Sequence, residues 1–193
     1  MSLRFPITVV LSIVCLAVPA WADYKAGEDA YNRGDFATAL REWRPLAEQG
    51  NPEAQVNLGQ LYLKGHGVPQ DYIQARQWFE KAAVQGRTEA QTGLGDLYLT
   101  DHGGRQDYQQ ALFWFRVAAS HGNALAQTKL GLMYERGNGV TQDVVLALRW
   151  YILGAANGDE LGTEHRDALS KHMTPAQIFQ ARQQAREWKP PQK

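Results

Sequence analysis

Three stretches of this chain repeat at a fixed interval. "LGQLYLKGHGVPQDYIQARQWFEKAAVQG" starts at Leu58, "LGDLYLTDHGGRQDYQQALFWFRVAASHG" at Leu94 and "LGLMYERGNGVTQDVVLALRWYILGAANGD" at Leu130, each 36 residues after the last. An interval of this size marks a stacked array, because each unit has too little core of its own and must bury its apolar face on a neighbour. Segments 52–87, 88–123 and 124–159 superimpose without gaps.

Each segment opens on a helical stripe. Ala54, Leu58, Leu61 and Tyr62 share one face, as do Ala90, Leu94, Leu97 and Tyr98, and Ala126, Leu130, Met133 and Tyr134. Gly59, Gly95 and Gly131 interrupt these helices at a cost of about 1 kcal/mol each relative to alanine. A glycine in every copy predicts a close approach that a Cβ would block. Gly65, Gly67, Gly137 and Gly139 then supply the turn, and Asp71, Asp107 and Asp143 stand at the N-cap of a second helix. The second helices place large aromatics among alanines, as in Ala111, Trp114, Phe115, Ala118 and Ala119. That pattern assigns Trp78, Trp114 and Trp150 to the packing face. Trp114→Ala is therefore expected to cost about 3–5 kcal/mol. Gly86, Gly122 and Gly158 end the helices.

These residues resemble the Sel-1-like repeat, a relative of the tetratricopeptide repeat, in three copies over 52–159. The resemblance implies an all-α fold, a right-handed superhelical solenoid of antiparallel helix hairpins. One loop departs from the pattern: "DHGGRQD" has Asp101 where Gly65 and Gly137 stand, and Gly104-Arg105 where Val68-Pro69 stand. Residues 23–51 resemble a degenerate tetratricopeptide-like unit. In it, Asp35, Phe36, Ala39, Trp43, Ala47 and Gly50 precede Asp71, Tyr72, Ala75, Phe79, Ala83 and Gly86 by 36, with a shorter turn at Gly34. Residues 160–193 leave the period and read as a C-terminal capping helix pair. The first helix is predicted over 160–172. The second opens with Thr174, Pro175 and Gln177, a capping box, and carries Ile178, Phe179, Ala181, Ala185 and Trp188 on its apolar side. Pro190-Pro191 stops it.

The first 22 residues read as a cleavable secretory signal: Arg4, an apolar run, then Ala20-Trp21-Ala22, with cleavage expected after Ala22. The run is shorter than the roughly 20 residues of a membrane span. This places the mature protein in the periplasm or outside the cell, with no stable membrane span. The single cysteine, Cys15, would leave with the signal, so the mature chain has no disulfide and no thiol nucleophile. Its net charge becomes about −1, which does not draw it to nucleic acid.

No catalytic set stands out, and the chain is read as a non-enzyme without cofactor or metal. His66 and His102 hold equivalent turn positions that stacking could bring together, but a metal needs further ligands. His165 and His172 read as surface or partly buried side chains. Some cysteine-rich secreted relatives are associated with β-lactams; their paired cysteines are absent here. What the resemblance implies instead is binding of a protein or peptide in the groove lined by the first helices. By position the candidates are Glu53, Val56, Gln60, Leu63 and Lys64; Glu89, Thr92, Asp96, Leu99 and Thr100; Leu125, Thr128, Leu132, Glu135 and Arg136. They vary between copies where the packing residues do not. The expected role is an envelope adaptor or scaffold. The alternatives are a cell-wall or β-lactam hydrolase with an unrecognised site, and a structural subunit of an envelope or polysaccharide-export assembly.

Overall fold

The computed structural model describes residues 23–102, 104 and 106–189. The signal-peptide reading over 1–22, Arg105 and the Pro190-Pro191 stop lie outside the described residues. Ten α-helices follow one another among those described: α1 (Tyr24–Asn32), α2 (Phe36–Glu48), α3 (Pro52–Lys64), α4 (Tyr72–Ala83), α5 (Thr88–Leu99), α6 (Tyr108–Ser120), α7 (Ala124–Arg136), α8 (Val144–Ala156), α9 (Glu160–Ser170) and α10 (Pro175–Glu187). From α1 to α9 each packs on the next, giving an all-α solenoid of antiparallel hairpins. The last two helices break this order: α9 and α10 both pack on α8.

The helix ends follow from the sequence. Asp71, Asp107 and Asp143 each accept two backbone N–H bonds in the first turn of α4, α6 and α8. Asn51 and Asn123 each accept one such bond and cap α3 and α7, whereas Arg87 at the matching place makes no cap bond and pairs with Glu53 at 3.0 Å. Gly65 and Gly137 close α3 and α7 with φ of 71° and 73°. Asp101 replaces that glycine in the divergent loop, and α5 ends on an extended Thr100 instead. The loop regains register at Gln106, which donates to the Leu99 carbonyl as Gln70 does to Leu63 and Gln142 to Glu135.

The repeated glycines do meet a close neighbour, but it is a ring rather than a helix backbone. A Cβ on Gly59 would lie 2.4 Å from the Phe79 ring, and one on Gly95 2.4 Å from Phe115. On Gly131 it would lie 2.7 Å from Tyr151. Gly27 and Trp43 form the same lock in the first unit, at 2.4 Å. These four aromatics occupy the core; of the tryptophans beside three of them, Trp150 joins it and Trp78 and Trp114 do so only in part. Phe79, Phe115 and Tyr151 are fully buried and Trp150 nearly so, while Trp78 and Trp114 are only partly buried. The Trp114→Ala expectation is corrected accordingly. Trp78 and Trp114 sit one residue off the stripe and lean on the neighbouring core cluster from outside.

A buried amide ladder ties the units together. Gln55, Gln91 and Gln127 donate to the carbonyls of Ala47, Ala83 and Ala119, at 3.0, 3.1 and 3.1 Å. Each bond joins a first helix to a carbonyl at the end of the preceding second helix, whose other acceptor site takes the N–H of Gly50, Gly86 or Gly122. The rungs differ at the other amide atom. Gln55 Oε1 accepts from Gln85 and Gln127 Oε1 from Asn157, both at 2.8 Å. Gln91 Oε1 is buried without a partner, because His121 holds the corresponding place and turns to the Val117 carbonyl. Gln127→Leu is therefore expected to lower unfolding free energy by about 1–3 kcal/mol, and Gln91→Leu by less. Urea melts of the two variants read the difference.

At the C-terminal end the capping box forms: Gln177 N–H donates to the Thr174 hydroxyl, and the Thr174 N–H to the Gln177 side chain. The first of the two terminal helices ends at Ser170, so His172 lies beyond it and is exposed. α10 rests on α8 through Ala181 and Ala185, and Trp188 meets Trp150 edge to face at 6.0 Å. Phe179, expected on the apolar side, points to solvent at 68% exposure. The two alanines already make the contact, and Phe179 lies off their stripe.

Candidate functional site

The first helices α3, α5 and α7 carry the candidate face, and salt bridges run across it. Glu53 meets Arg87 at 3.0 Å, and Asp96 meets Lys129 at 3.0 Å. These are partly exposed pairs of modest individual worth. They nonetheless link neighbouring first helices.

The structure divides the fifteen candidates. Lys64, Glu89, Leu125 and Arg136 are exposed, and Gln60, Glu53, Asp96 and Leu132 are partly so. Val56, Leu63 and Leu99 are packed against core clusters. Thr92 and Thr128 are corrected: both are 4% exposed and unavailable to a partner. Thr92 donates to the Thr88 carbonyl at 2.8 Å, and Thr128 sits where a Cβ on Gly154 or Gly162 would collide. Thr100 ends α5 and turns its hydroxyl to the Asp96 carbonyl. Glu135 accepts a hydrogen bond from the buried Tyr151 hydroxyl. Burial first, then the Glu135 carboxylate, pushes the Tyr151 pKa far above its ordinary value.

One hollow opens on this face. A cleft of about 190 Å³ is lined by Tyr24, Glu28, Tyr31, Asn32, Trp43, Asn57 and Gln60. Asn57 donates to the Tyr24 hydroxyl at 3.1 Å, and Trp43 donates its indole N–H to the Tyr24 carbonyl at 3.1 Å. Amide groups, a carboxylate and aromatic walls together suit an extended polypeptide, whose backbone needs both donors and acceptors. Of its lining, the sequence reading named only Gln60 as a candidate. Asn57 stands one helical turn before Gln60, a spacing that could have found it. The α1 residues were hidden because that unit lacks the repeat signature. A larger hollow of about 780 Å³ runs beside Phe179, but all its lining comes from α10. It has no opposing wall among the described residues.

The histidines do not assemble. His66 stacks on Phe36 with ring centroids 4.1 Å apart, and His102 on Tyr72 at 4.8 Å, each against the preceding hairpin. His165 stacks on Tyr151 at 5.0 Å. Among the described residues, no group of three or more His, Cys, Asp or Glu could hold a metal. None of the described helices is long and apolar enough to cross a membrane.

Comparison with known proteins bears on the same helices. The Sel1 repeat profile matches residues 52–86, 88–123 and 124–159. No curated protein matches the chain. A Sel1 repeat protein from Oxalobacter formigenes superposes with a TM-score of 0.65 at 28% identity, over 86% of this chain and 83% of its own. A protective antigen present in uropathogenic Escherichia coli strains, displaying an SLR fold, superposes with a TM-score of 0.58 at 30% identity. That match covers 85% of this chain but only 44% of the antigen, so the chain spans less than half the antigen's length. The matched segments cover more than half of the chain and fall on the three hairpins α3–α4, α5–α6 and α7–α8, and so the chain belongs to the Sel1 repeat family.

Proposed function

We propose that this chain is an exported envelope scaffold that binds an extended segment of a partner protein along its first-helix face. The observation that carries this reading is the cleft beside Gln60, where Asn57, Asn32, Glu28 and Tyr31 offer donors and acceptors on a wall of packed aromatics. The exposed members of the first-helix set, Lys64, Glu89 and Arg136, extend a polar surface over the following hairpins. The mature chain begins at Asp23 in this reading, processed from the Ala20-Trp21-Ala22 site. Asp23 N-caps α1, and its backbone N–H donates to Glu42 at 3.2 Å.

The test is capture of the partner from the native envelope fraction by tagged protein, with Asn57→Ala and Gln60→Arg together as the control. Both side chains are partly exposed, so the fold is expected to survive. Asp96 and Glu135 are poor choices for this control because they hold Lys129 and Tyr151. A single partner, lost or weakened about tenfold by the double variant, is the expected result. Capture indifferent to the variant would move the site elsewhere. Retention of residues 1–22 in the isolated protein, read by N-terminal sequencing, would overturn the export reading.

A further inference from the structure

The first unit buries a carboxylate where the later units place a tryptophan. Glu42 stands in the position of Trp78, Trp114 and Trp150. It is 6% exposed. A buried charge is costly unless it is paired. The two oxygens of Glu42 meet different partners. Oε1 accepts from Nε and Nη2 of Arg41 at 3.3 and 3.0 Å, and that side chain lies largely in solvent. Oε2 accepts from the backbone nitrogen of Asp23 at 3.2 Å.

That nitrogen is the atom a leader peptidase would free. Hydrolysis of the Ala22–Asp23 peptide bond consumes one water. Its hydroxyl goes to the Ala22 carbonyl carbon and its other hydrogen to the Asp23 nitrogen. The resulting amine takes a proton from solvent at neutral pH, because an α-amino group has a pKa of about 7.7–8.0. A neutral donor facing the buried Glu42 carboxylate thereby becomes a cation at the same place.

The local charges favour that change. With the peptide bond intact, the corner holds the carboxylates of Asp23 and Glu42 against Arg41 alone. Lys25 is engaged elsewhere, at 3.1 Å from both Glu28 and Asp29. The ammonium supplies the missing positive charge. By itself a cation at a helix N-terminus is unfavourable. At the start of α1 it therefore needs an anion, and Glu42 on α2 provides one. The same turn matters to the cleft beside Gln60. Tyr24 follows Asp23, takes the Trp43 indole N–H on its carbonyl and the Asn57 amide on its hydroxyl, and forms one wall of the cleft.

We propose that Glu42 receives the α-ammonium group freed on Asp23 by cleavage after Ala22, so that removal of the leader anchors α1 and the cleft wall it carries. This docking rests on the export reading, with Asp23 as the first residue of the mature chain.

The experiment compares two purified chains, one beginning at Asp23 and one that retains Ala20-Trp21-Ala22 before it. In the first, the α-amine is titrated by NMR. Its pKa is expected about 1 unit or more above the ordinary value, because the charged form gains a carboxylate. Glu42→Gln should return it to that value. Arg41→Gln, which acts on the other oxygen, should leave the shift in place. Hydrogen exchange of the α1 amides, measured at one pH, should be about tenfold slower in the chain that begins at Asp23. An α-amine at or below about 8, a shift unchanged by Glu42→Gln or equal exchange in the two chains would overturn the proposal. If Glu42→Gln does not fold, the unsubstituted titration and the exchange comparison still decide. N-terminal sequencing of protein isolated from cells separates the two readings. Another first residue overturns the cleavage site and the docking together. Asp23 as first residue, with an unshifted amine, overturns the docking alone.

Discussion

Phe115→Ala should lower the unfolding free energy by about 3–5 kcal/mol. The ring is fully buried in the central hairpin and lies against Gly95, where even one added carbon would collide. Its loss leaves a cavity that the flanking helices cannot close without breaking the Gln91 bond to Ala83 or the Gln127 bond to Ala119. In a stacked array each hairpin touches only its neighbours, so a weak central unit also uncouples the two ends. The unfolding transition should broaden as well as shift. Trp114→Ala, one residue away, should cost less, because part of its side chain already stays in water. Denaturant melts of both variants decide the matter. The reverse order would mean that the packing face has been assigned one residue out of register.

The second prediction concerns a paired change in the last hairpin. Tyr151 stands where the first two copies have Phe79 and Phe115, and Glu135 stands where they have Leu63 and Leu99. The added hydroxyl is buried and finds its acceptor in the added carboxylate. Glu135→Leu alone should therefore destabilise by about 1–3 kcal/mol, leaving a buried donor without a partner. Tyr151→Phe should cost about 1 kcal/mol. The double variant restores the pair used by the other hairpins and should be more stable than Glu135→Leu alone. The coupling should fall within about 0.5–3 kcal/mol. Additive effects in the cycle would show the two residues to be independent. The same contact has a pH signature. The Tyr151 pKa is raised in the folded chain, so its contribution is complete below the ordinary tyrosine value near 10 and is lost as pH rises past it. Tyr151→Phe should remove that part of the alkaline loss of stability.

Both predictions rest on distinctions that the period alone did not make. The interval of 36 residues, the aspartate caps and the turn glycines were legible because they are local. An N-cap binds the next turn, and a positive φ belongs to one residue. The alternation of aromatics and alanines identified the second helices but not which aromatic lay inside. Phe115 and Trp114 are adjacent, and about 100° of helix rotation separates the core from its margin. The Gly27–Trp43 lock went unseen because the short turn at Gly34 moves the glycine out of the 36-residue frame.

The candidate face shows the same division. Of the residues named on it, Thr92 and Thr128 turned inward and Glu135 became a partner for Tyr151. Variation between copies marked these positions, and variation arises both where a partner binds and where two buried residues change together. Asn57, Tyr24 and Glu28 meet Gln60 only because α1 packs beside the first hairpin, a contact that no spacing records.

By itself the sequence determined the unit, its two helices, their ends and the number of full copies, since each depends on neighbours along the chain and on a pattern repeated three times. Tertiary structure alone decided which ring fills each layer, which polar side chains are consumed inside the stack and which remain at its surface. It also decided that Arg116 and Tyr134, drawn from neighbouring hairpins, meet through a hydrogen bond. Those outcomes depend on how far each helix turns about its axis as it meets the next, and that rotation is set by the packing of both surfaces at once.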